Sequence, residues 1–508
     1  MTTNHSLDSS MAVAVIGAGS MGAGIAQLAA QAGHAVWLHD AQPGAATRGR
    51  ERIAADLEGA VKRAKMTAGQ RDAVLSRIGI AERIDALAGC RLAVEAIVEK
   101  LEPKQALFRQ LEGALAPEAV FATNTSSISI TAVAQGLRHP QRLIGWHFFN
   151  PATRMKLVEV IPGVETDPAL VPALHALSRA WGKTSVDAPN APGFIVNRVA
   201  RPYYAEALRL LGERIADVPT IDWLLREAGG FAMGPFELID LIGVDVNLSV
   251  TESVFQATAF DSRYAPSLIQ QELVRSGRYG RKSGRGFYDH GPGAAAPHAS
   301  TVGPASDPPP LRCAADAGLL DPLLQRLRRA GVEIAQDADL PGATLALGGT
   351  RVALTDGRTA ARRAHEEREA VLLLDLARDY AAAPVLGAAA GPGCEPALAE
   401  LAALLRRADI GLIALADVAG LVVMRTVCCL ANEAADVMTW SGTSARDIDT
   451  AMVLGTAYPL GPLVWADAIG ASRVAEVLGN LQAHYGDPRY RRAPKLSALE
   501  LTRGRFHD

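Results

Sequence analysis

The chain has 508 residues, 49% of them hydrophobic and 21% charged. That length exceeds one ordinary domain, and the apolar share is enough to bury several cores. A formal net charge of −3 argues against a general nucleic-acid binder, and Cys90, Cys313, Cys394, Cys428 and Cys429 show neither CxxC nor zinc-finger spacing, which suits a reducing cytosol and no metal site.

Residues 1–10 carry neither the basic n-region nor the apolar h-region of a signal peptide, and read as a disordered tail. Met11 to Ile16 is a valine-rich apolar run, the pattern of a buried parallel strand. It ends in Gly17-Ala18-Gly19-Ser20-Met21-Gly22, a G-x-G-x-x-G, followed by Ile25, Leu28 and Ala29 at helical spacing. A second strand, Ala35 to His39, ends in Asp40, 23 residues after Gly17 (40 − 17). The loop alone is weak evidence. Strand, glycine loop, helix, strand and terminal acid together predict a dinucleotide site, with Gly17, Gly19 and Gly22 at the pyrophosphate and Asp40 on the ribose hydroxyls. No arginine follows Asp40 to take a 2′-phosphate, so NAD is favoured over NADP.

Glu51 to Lys65 predicts a helix with Arg52, Lys62, Arg63 and Lys65 along it. A solvated face is the usual reading of such a run; a seat for a phosphate-bearing substrate handle is the sharper one. Leu92 to Val98 predicts another strand, followed by Glu99 and a helix containing Lys104. Val120 to Ala122 leads into Thr123-Asn124-Thr125-Ser126-Ser127. Polar residues there either face the ligand crevice of a doubly wound sheet or cap the next helix, with Ser127 and Ser126 as candidate caps.

The stretch WHFFNPATRMKLVEVI, Trp146 to Ile161, carries the chemistry. In a strand over Lys156 to Ile161, Leu157, Glu159 and Ile161 share one face. A carboxylate on an apolar face needs a partner. A turn at Asn150-Pro151 folds that strand back toward His147, and a His–Glu pair suits a general base. A core histidine with a structural ion pair is the bland alternative.

The loop Asp187 to Pro192 marks a domain boundary, so the first α/β domain spans 11–188 and a helical domain 189–290, with Pro202 expected to kink its first helix. Residues 291–310 read as a flexible linker. Residues 311–416 form an α/β domain with no nucleotide fingerprint, its candidate strands at Thr344 to Leu347, Val352 to Leu354, Val371 to Leu374 and Gly411 to Leu415. Asp417 and Arg425 interrupt the apolar stretch Gly411 to Met424, against a membrane span. Residues 417–508 repeat the helical domain: Gly193 matches Gly420, Arg198 Arg425, Glu206 Glu433, Gly234-Pro235 Gly461-Pro462 and Asp240 Asp467, each offset by 227 (420 − 193). Constant register over that many identities argues duplication.

With these motifs in order (the glycine loop, VEAIVE, NTSS, HFFNP…MKLVEV, PGFIVNR, GPFELID), the chain resembles the L-3-hydroxyacyl-CoA dehydrogenase family over residues 11–290. The two-copy length with a degenerate middle looks like the family's long form, linked to 3-hydroxyadipyl-CoA in phenylacetate catabolism. The resemblance implies a Rossmann-type fold, NAD as cofactor and an acyl-CoA thioester as substrate, in a cytoplasmic enzyme. It implies that His147 is the general base and Glu159 its partner, that Ser126 bonds the reacting oxygen, and that Asn197 positions substrate. Glu99, Lys104 and Asn124 match cofactor contacts. Arg63 stands where the family places a basic residue for the CoA phosphates, while Asp56 replaces a serine found near CoA in some members. Asn150 is a further substrate-binding candidate, as is Arg154, a departure from the family's apolar residues there. A 3-hydroxybutyryl-CoA or general medium-chain enzyme is the near rival; a fold-sharing sugar-acid dehydrogenase and a non-catalytic NAD-binding protein are the distant ones.

Asn197 aligns with Met424 (424 − 197 = 227), which lacks an amide's donors and acceptor. The expectation is one active site per chain, with the second half structural. Single-copy members pair through the helical domain, so the second copy is expected to cover the first, with room left for a homodimer.

Overall fold

The computed structural model describes residues 7–294 and 299–507. Six of the ten residues read as a tail, 1–6, lie outside that range. The chain divides into two compact units, Met1–Arg198 with Thr450–Thr456, and Val199–Asp449 with Ala457–Asp508.

The first unit is built on eight strands: β1 (Val13–Ile16), β2 (Val36–His39), β3 (Ile78–Ile80), β4 (Leu92–Glu95), β5 (Val120–Thr123), β6 (Leu143–Phe148), β7 (Leu157–Pro162) and β8 (Thr184–Asp187). Their order is β3-β2-β1-β4-β5-β6-β7-β8, and only β6 and β7 run antiparallel. β1, β4, β5 and β6 are buried along their whole length, which is why they read as apolar runs. The strand order reverses beside β1, so the glycine loop opens at the switch point where such sheets bind ligands. β4 stops at Glu95, short of Val98, because the Glu95 carboxylate accepts the Ile97 N–H at 2.7 Å and turns the chain.

The second unit contains a seven-stranded sheet: β9 (Leu311–Cys313), β10 (Ile334–Gln336), β11 (Thr344–Leu347), β12 (Thr350–Leu354), β13 (Ala370–Leu374), β14 (Val385–Ala390) and β15 (Gly411–Ala414), in the order β10-β9-β11-β12-β13-β14-β15. β12 pairs parallel with β13, β13 antiparallel with β14, and β14 parallel with β15. That is the pattern of β5-β6-β7-β8. Part of the stretch 291–310, expected from its composition to be a flexible linker, is held by backbone hydrogen bonds. Residues 295–298 lie outside the described range, but Val302 N–H donates to Leu412 at 2.7 Å and Ala305 N–H to Ala399 at 2.8 Å, so the segment is tied to this sheet's helix and edge strand.

The two helical copies in this unit agree in detail. Asp222 accepts the N–H groups of Phe236 and Glu237, both at 2.9 Å, and Asp449 those of Leu463 and Val464, both at 2.9 Å. A Cβ on Gly234 or Gly461 would lie 2.2 Å from the respective aspartate, so neither glycine can carry a side chain. The long run after Gly193 is split: a first turn, Val196–Val199, ends at Ala200, and Pro202 sits in the first turn of Arg201–Gly212, where its missing N–H costs nothing. The copies face each other through buried charge. Arg425 of the second copy pairs with Glu206 at 2.7 Å and Glu213 at 2.8 Å. Arg263 of the first pairs with Glu433 at 3.0 Å, and the Tyr264 hydroxyl donates to the same carboxylate.

Candidate active site

The antiparallel β6–β7 pair sets the centre. Its register places His147 directly opposite Glu159, and His147 Nδ1 lies 2.7 Å from Glu159 Oε2. His147 is 5% exposed and Glu159 0%. An acceptor at that distance requires the proton on Nδ1, which leaves the lone pair on Nε2. Glu159 Oε1 accepts the N–H groups of Ile195 and Val196, each at 3.0 Å. One carboxylate therefore orients the imidazole and fastens the helix start that carries Asn197. The imidazole packs between Phe149 and Phe194, with ring centroids 4.4 and 5.8 Å away.

A ring of hydrogen bonds continues from this pair. Asn197 Nδ2 donates to the Ser126 carbonyl at 3.4 Å. The Ser126 hydroxyl donates to Glu99 Oε1 at 3.1 Å, and its N–H to the same oxygen at 2.8 Å. Asn124 Oδ1 accepts the Phe148 N–H at 2.8 Å, next to His147. Desolvation pushes Glu99 up, but the Lys104 charge and donors from Thr125 and Ser126 outweigh it and hold the carboxyl below its usual pKa. Ser126, His147, Glu159, Asn197, Asn124 and Glu99 thus belong to one connected set.

Other expected residues stand differently. Lys104 is 1% exposed, with its ammonium 2.6 Å from Glu95 and 3.2 Å from Glu99. It is expected among the cofactor contacts, and here its ammonium holds Glu99 in place. The cap of the helix Ile130–Ala134 is Ser129, not Ser126 or Ser127; the Ser127 hydroxyl turns to Glu99. Arg63, Asn150 and Arg154 are exposed and make no side-chain bond to the ring among the described residues. Asp56 accepts from Gln27 at 2.9 Å, which ties two helices together.

Two contributors, Glu95 and Lys183, escaped sequence reading, and Arg52, read there only as part of a charged helix run, takes a more specific place. Glu95 is a lone acid in an apolar strand, the signal that singled out Glu159, and it holds Lys104 and the Thr123 hydroxyl (2.6 Å). Lys183 donates to the carbonyls of Ala152 (2.5 Å) and Met155 (2.7 Å) and so clasps the loop between β6 and β7. Desolvation, aided by Lys156, pulls it down to about 8. Arg52 donates to the Ala18 carbonyl in the glycine loop. Neither basic residue has a local signature.

At the end of β1, Gly17 adopts φ +100°, and a Cβ on Gly22 would lie 1.7 Å from the Gly17 oxygen. Beside Gly19 nothing lies within 4 Å of a Cβ position, and the helix Ser20–Gln31 has no side-chain cap. Open backbone and unclaimed N–H groups at a helix start fit an anionic diphosphate. Asp40 Oδ2 accepts the Ala18 N–H at 2.7 Å, which fixes a carboxylate beside that loop. The residues present therefore fit NAD.

Among the described residues no group of acids, histidines or cysteines could hold a metal ion, and no helix is long and apolar enough to cross a membrane. Comparison with known proteins gives a coherent result. Residues 12–191 match the NAD binding domain of 3-hydroxyacyl-CoA dehydrogenase, and residues 193–290 and 420–503 both match its C-terminal domain. Residues 352–418 match the 3-hydroxybutyryl-CoA dehydrogenase reduced Rossmann-fold domain. The 3-hydroxyadipyl-CoA dehydrogenase of Escherichia coli strain K12 is 43% identical over 94% of this chain and 95% of its own length. The 3-hydroxybutyryl-CoA dehydrogenase of Bradyrhizobium diazoefficiens is 41% identical, over 55% of this chain and 94% of its own. A crystal structure of 3-hydroxybutyryl-CoA dehydrogenase from Escherichia coli K12 superposes with a TM-score of 0.89 at 40% identity, covering 98% of this chain and 99% of the other. Motifs, fold and relatives agree: the chain belongs to the 3-hydroxyacyl-CoA dehydrogenase family, with NAD as its cofactor.

Proposed function

We propose that this chain oxidises (S)-3-hydroxyacyl-CoA to the 3-oxo thioester, with 3-hydroxyadipyl-CoA as preferred substrate. The observation that carries the reading is the buried His147–Glu159 contact of 2.7 Å. Nε2 of His147 takes the 3-hydroxyl proton as hydride leaves C3. Bound NAD supplies the hydride acceptor. Glu159 stabilises the imidazolium so formed, and a positioned base of this kind contributes about 10²–10⁴-fold. Ser126 hydrogen-bonds the reacting oxygen, and Asn197, tied to the Ser126 backbone, positions the substrate beside the histidine. Gly17, Gly19, Gly22 and Asp40 seat the cofactor, with Glu99 and Asn124 shaping the wall next to it. Arg63 serves the CoA phosphates, and exposed Asn150, in the loop between β6 and β7, contacts the substrate.

The adipyl preference rests on the long relative, which matches both halves of the chain. The reading as a 3-hydroxybutyryl-CoA enzyme is favoured by the name of the superposing crystal structure. Exposed Arg154 offers a guanidinium for a distal carboxylate. A panel of CoA thioesters decides between them: kcat/KM should be highest for 3-hydroxyadipyl-CoA, and a higher value for 3-hydroxybutyryl-CoA would move the assignment. Arg154→Ala should raise KM for the dicarboxylyl substrate alone; equal effects on both would remove that residue from recognition. The five cysteines are free and buried, which supports a cytoplasmic place.

A further inference from the structure

Lys183 stands at the entry to β8 and is 6% exposed. Among the described residues no carboxylate pairs with its ammonium, which bonds the carbonyls of Ala152 and Met155. Taking an ammonium out of water without a counter-charge is costly, and desolvation is the largest influence on Lys183, drawing its pKa down to about 8. The two carbonyls bracket Thr153 and Arg154 in the loop between β6 and β7. Where that loop begins, Phe149 packs on the His147 imidazole, with ring centroids 4.4 Å apart. In its middle, buried Ala152 lies against Gly24 of the helix Ser20–Gln31; a Cβ on that glycine would stand 3.0 Å from the Ala152 Cβ. One ammonium therefore fixes a loop that touches the histidine and the dinucleotide helix.

The second sheet shows that this frame packs without the charge. β15 matches β8, and at an offset of 227 Lys183 becomes Ile410 (410 − 183), which is 2% exposed. The backbone bonds around the two residues agree. Lys183 N–H donates to the Ser178 carbonyl at 2.9 Å, and Ile410 N–H to that of Leu405 at 3.1 Å (405 − 178 = 227). Thr184 N–H donates to Lys156 and Gly411 N–H to Pro384, both at 2.9 Å. An apolar side chain thus suffices to lead a helix into this edge strand. The buried ammonium stands in the sheet that carries His147 and Glu159, so folding of the strand alone does not account for it.

We infer that Lys183 is a positioning residue of the dehydrogenase site, holding loop 149–155 so that Asn150 and Arg154 meet the acyl-CoA while Ala152 stays seated on the dinucleotide helix. The inference rests on the dehydrogenase reading and adds what places the substrate loop. Lys183 acts through that loop. His147 and Glu159 are held by strand register, so loss of the clasp acts on substrate binding more than on proton transfer. Its signature is a rise in KM that exceeds the fall in kcat.

Full-length wild type, Lys183→Ile and Gly24→Ala are compared by NAD titration and by steady-state oxidation of 3-hydroxybutyryl-CoA and 3-hydroxyadipyl-CoA. Lys183→Ile transfers the second sheet's residue and releases the two carbonyls. Gly24→Ala leaves Lys183 in place and pushes Ala152 from the other side. Both variants should still bind NAD, and the thioester KM should rise at least about fivefold in Lys183→Ile and about twofold in Gly24→Ala, with a smaller fall in kcat. A merely structural role would lower the fraction of chains that bind NAD, and kcat with it, at unchanged KM. That result, or unchanged KM in both variants, overturns the inference; if Lys183→Ile binds no NAD, the KM of Gly24→Ala decides by the same criterion. A wild type inactive toward both thioesters would overturn the dehydrogenase reading itself, and this inference with it.

Discussion

The β5–β8 half of the first sheet and β12–β15 of the second share one strand pattern and differ in what stands on it. Opposite positions on β6 and β7 hold His147 and Glu159. The matching positions hold Asp375 and Gly387, each offset by 228 (375 − 147, 387 − 159), and Asp375 N–H donates to the Gly387 carbonyl at 2.8 Å. A Cβ on Gly387 would lie 2.9 Å from Leu415 Cδ1, so a glutamate there would require that leucine to move. Yet the helix start is held alike. Glu159 accepts the N–H groups of Ile195 and Val196; Asp375 accepts those of Val422 (3.0 Å), Val423 (2.8 Å) and Met424 (3.0 Å). The polar step Thr125-Ser126 after β5 has its counterpart in Thr355-Asp356 after β12, where Asp356 is taken by Arg358 at 2.6 Å. A carboxylate that fastens a helix N-terminus is thus separable from one that orients an imidazole. Glu159 does both, and Asp375 only the first.

The comparison breaks most sharply at His147. His147→Gln should retain NAD binding and lose at least about 10²-fold in kcat; near-full turnover would place the base elsewhere. Next comes the charge that joins the helical copies. Arg425→Met takes from buried Glu206 one of its two guanidinium partners, leaving Arg209, and takes the partner of Glu213, and should destabilise the chain by about 3–5 kcal/mol in urea unfolding; a loss under about 1 kcal/mol would reduce the joint to a surface pair. Smaller again is a pH effect confined to the second sheet. Burial raises Asp375 to about 6 against 3.8 for the ordinary group. The folded chain therefore binds this proton more tightly, so its contribution is complete below about pH 4 and lost as pH rises through about 6, at most about 3 kcal/mol. Asp375→Asn, a mimic of the protonated acid, should flatten unfolding free energy over that window; an unchanged slope would contradict the assignment. The smallest expected effect is none. Calorimetric titration should find one NAD site per chain, and two sites would mean that the second sheet still binds.

Much of the first site could be read without coordinates, because its signals are local. A glycine loop between a strand and a helix, an acid at the end of the next strand, and a lone glutamate in an apolar run each carry a physical demand that neighbours in sequence reveal. The duplication was legible from constant spacing alone. β14, by contrast, is VLGAAA, whose small residues carry weak strand preference, and it was missed. The edge strands β3 and β8, of three and four residues, gave too few positions for a pattern.

Sequence by itself determined the family, the cofactor and the His–Glu candidate pair, since these depend on residue type and short spacing. Tertiary structure alone decided which distant residues share a register. It placed Asp375 and Gly387 at the positions of the lost pair and sealed Lys104 between two glutamates. The physical reason is that pairing across strands and packing between helices join residues tens to hundreds of positions apart, and no local pattern records which partner each will meet.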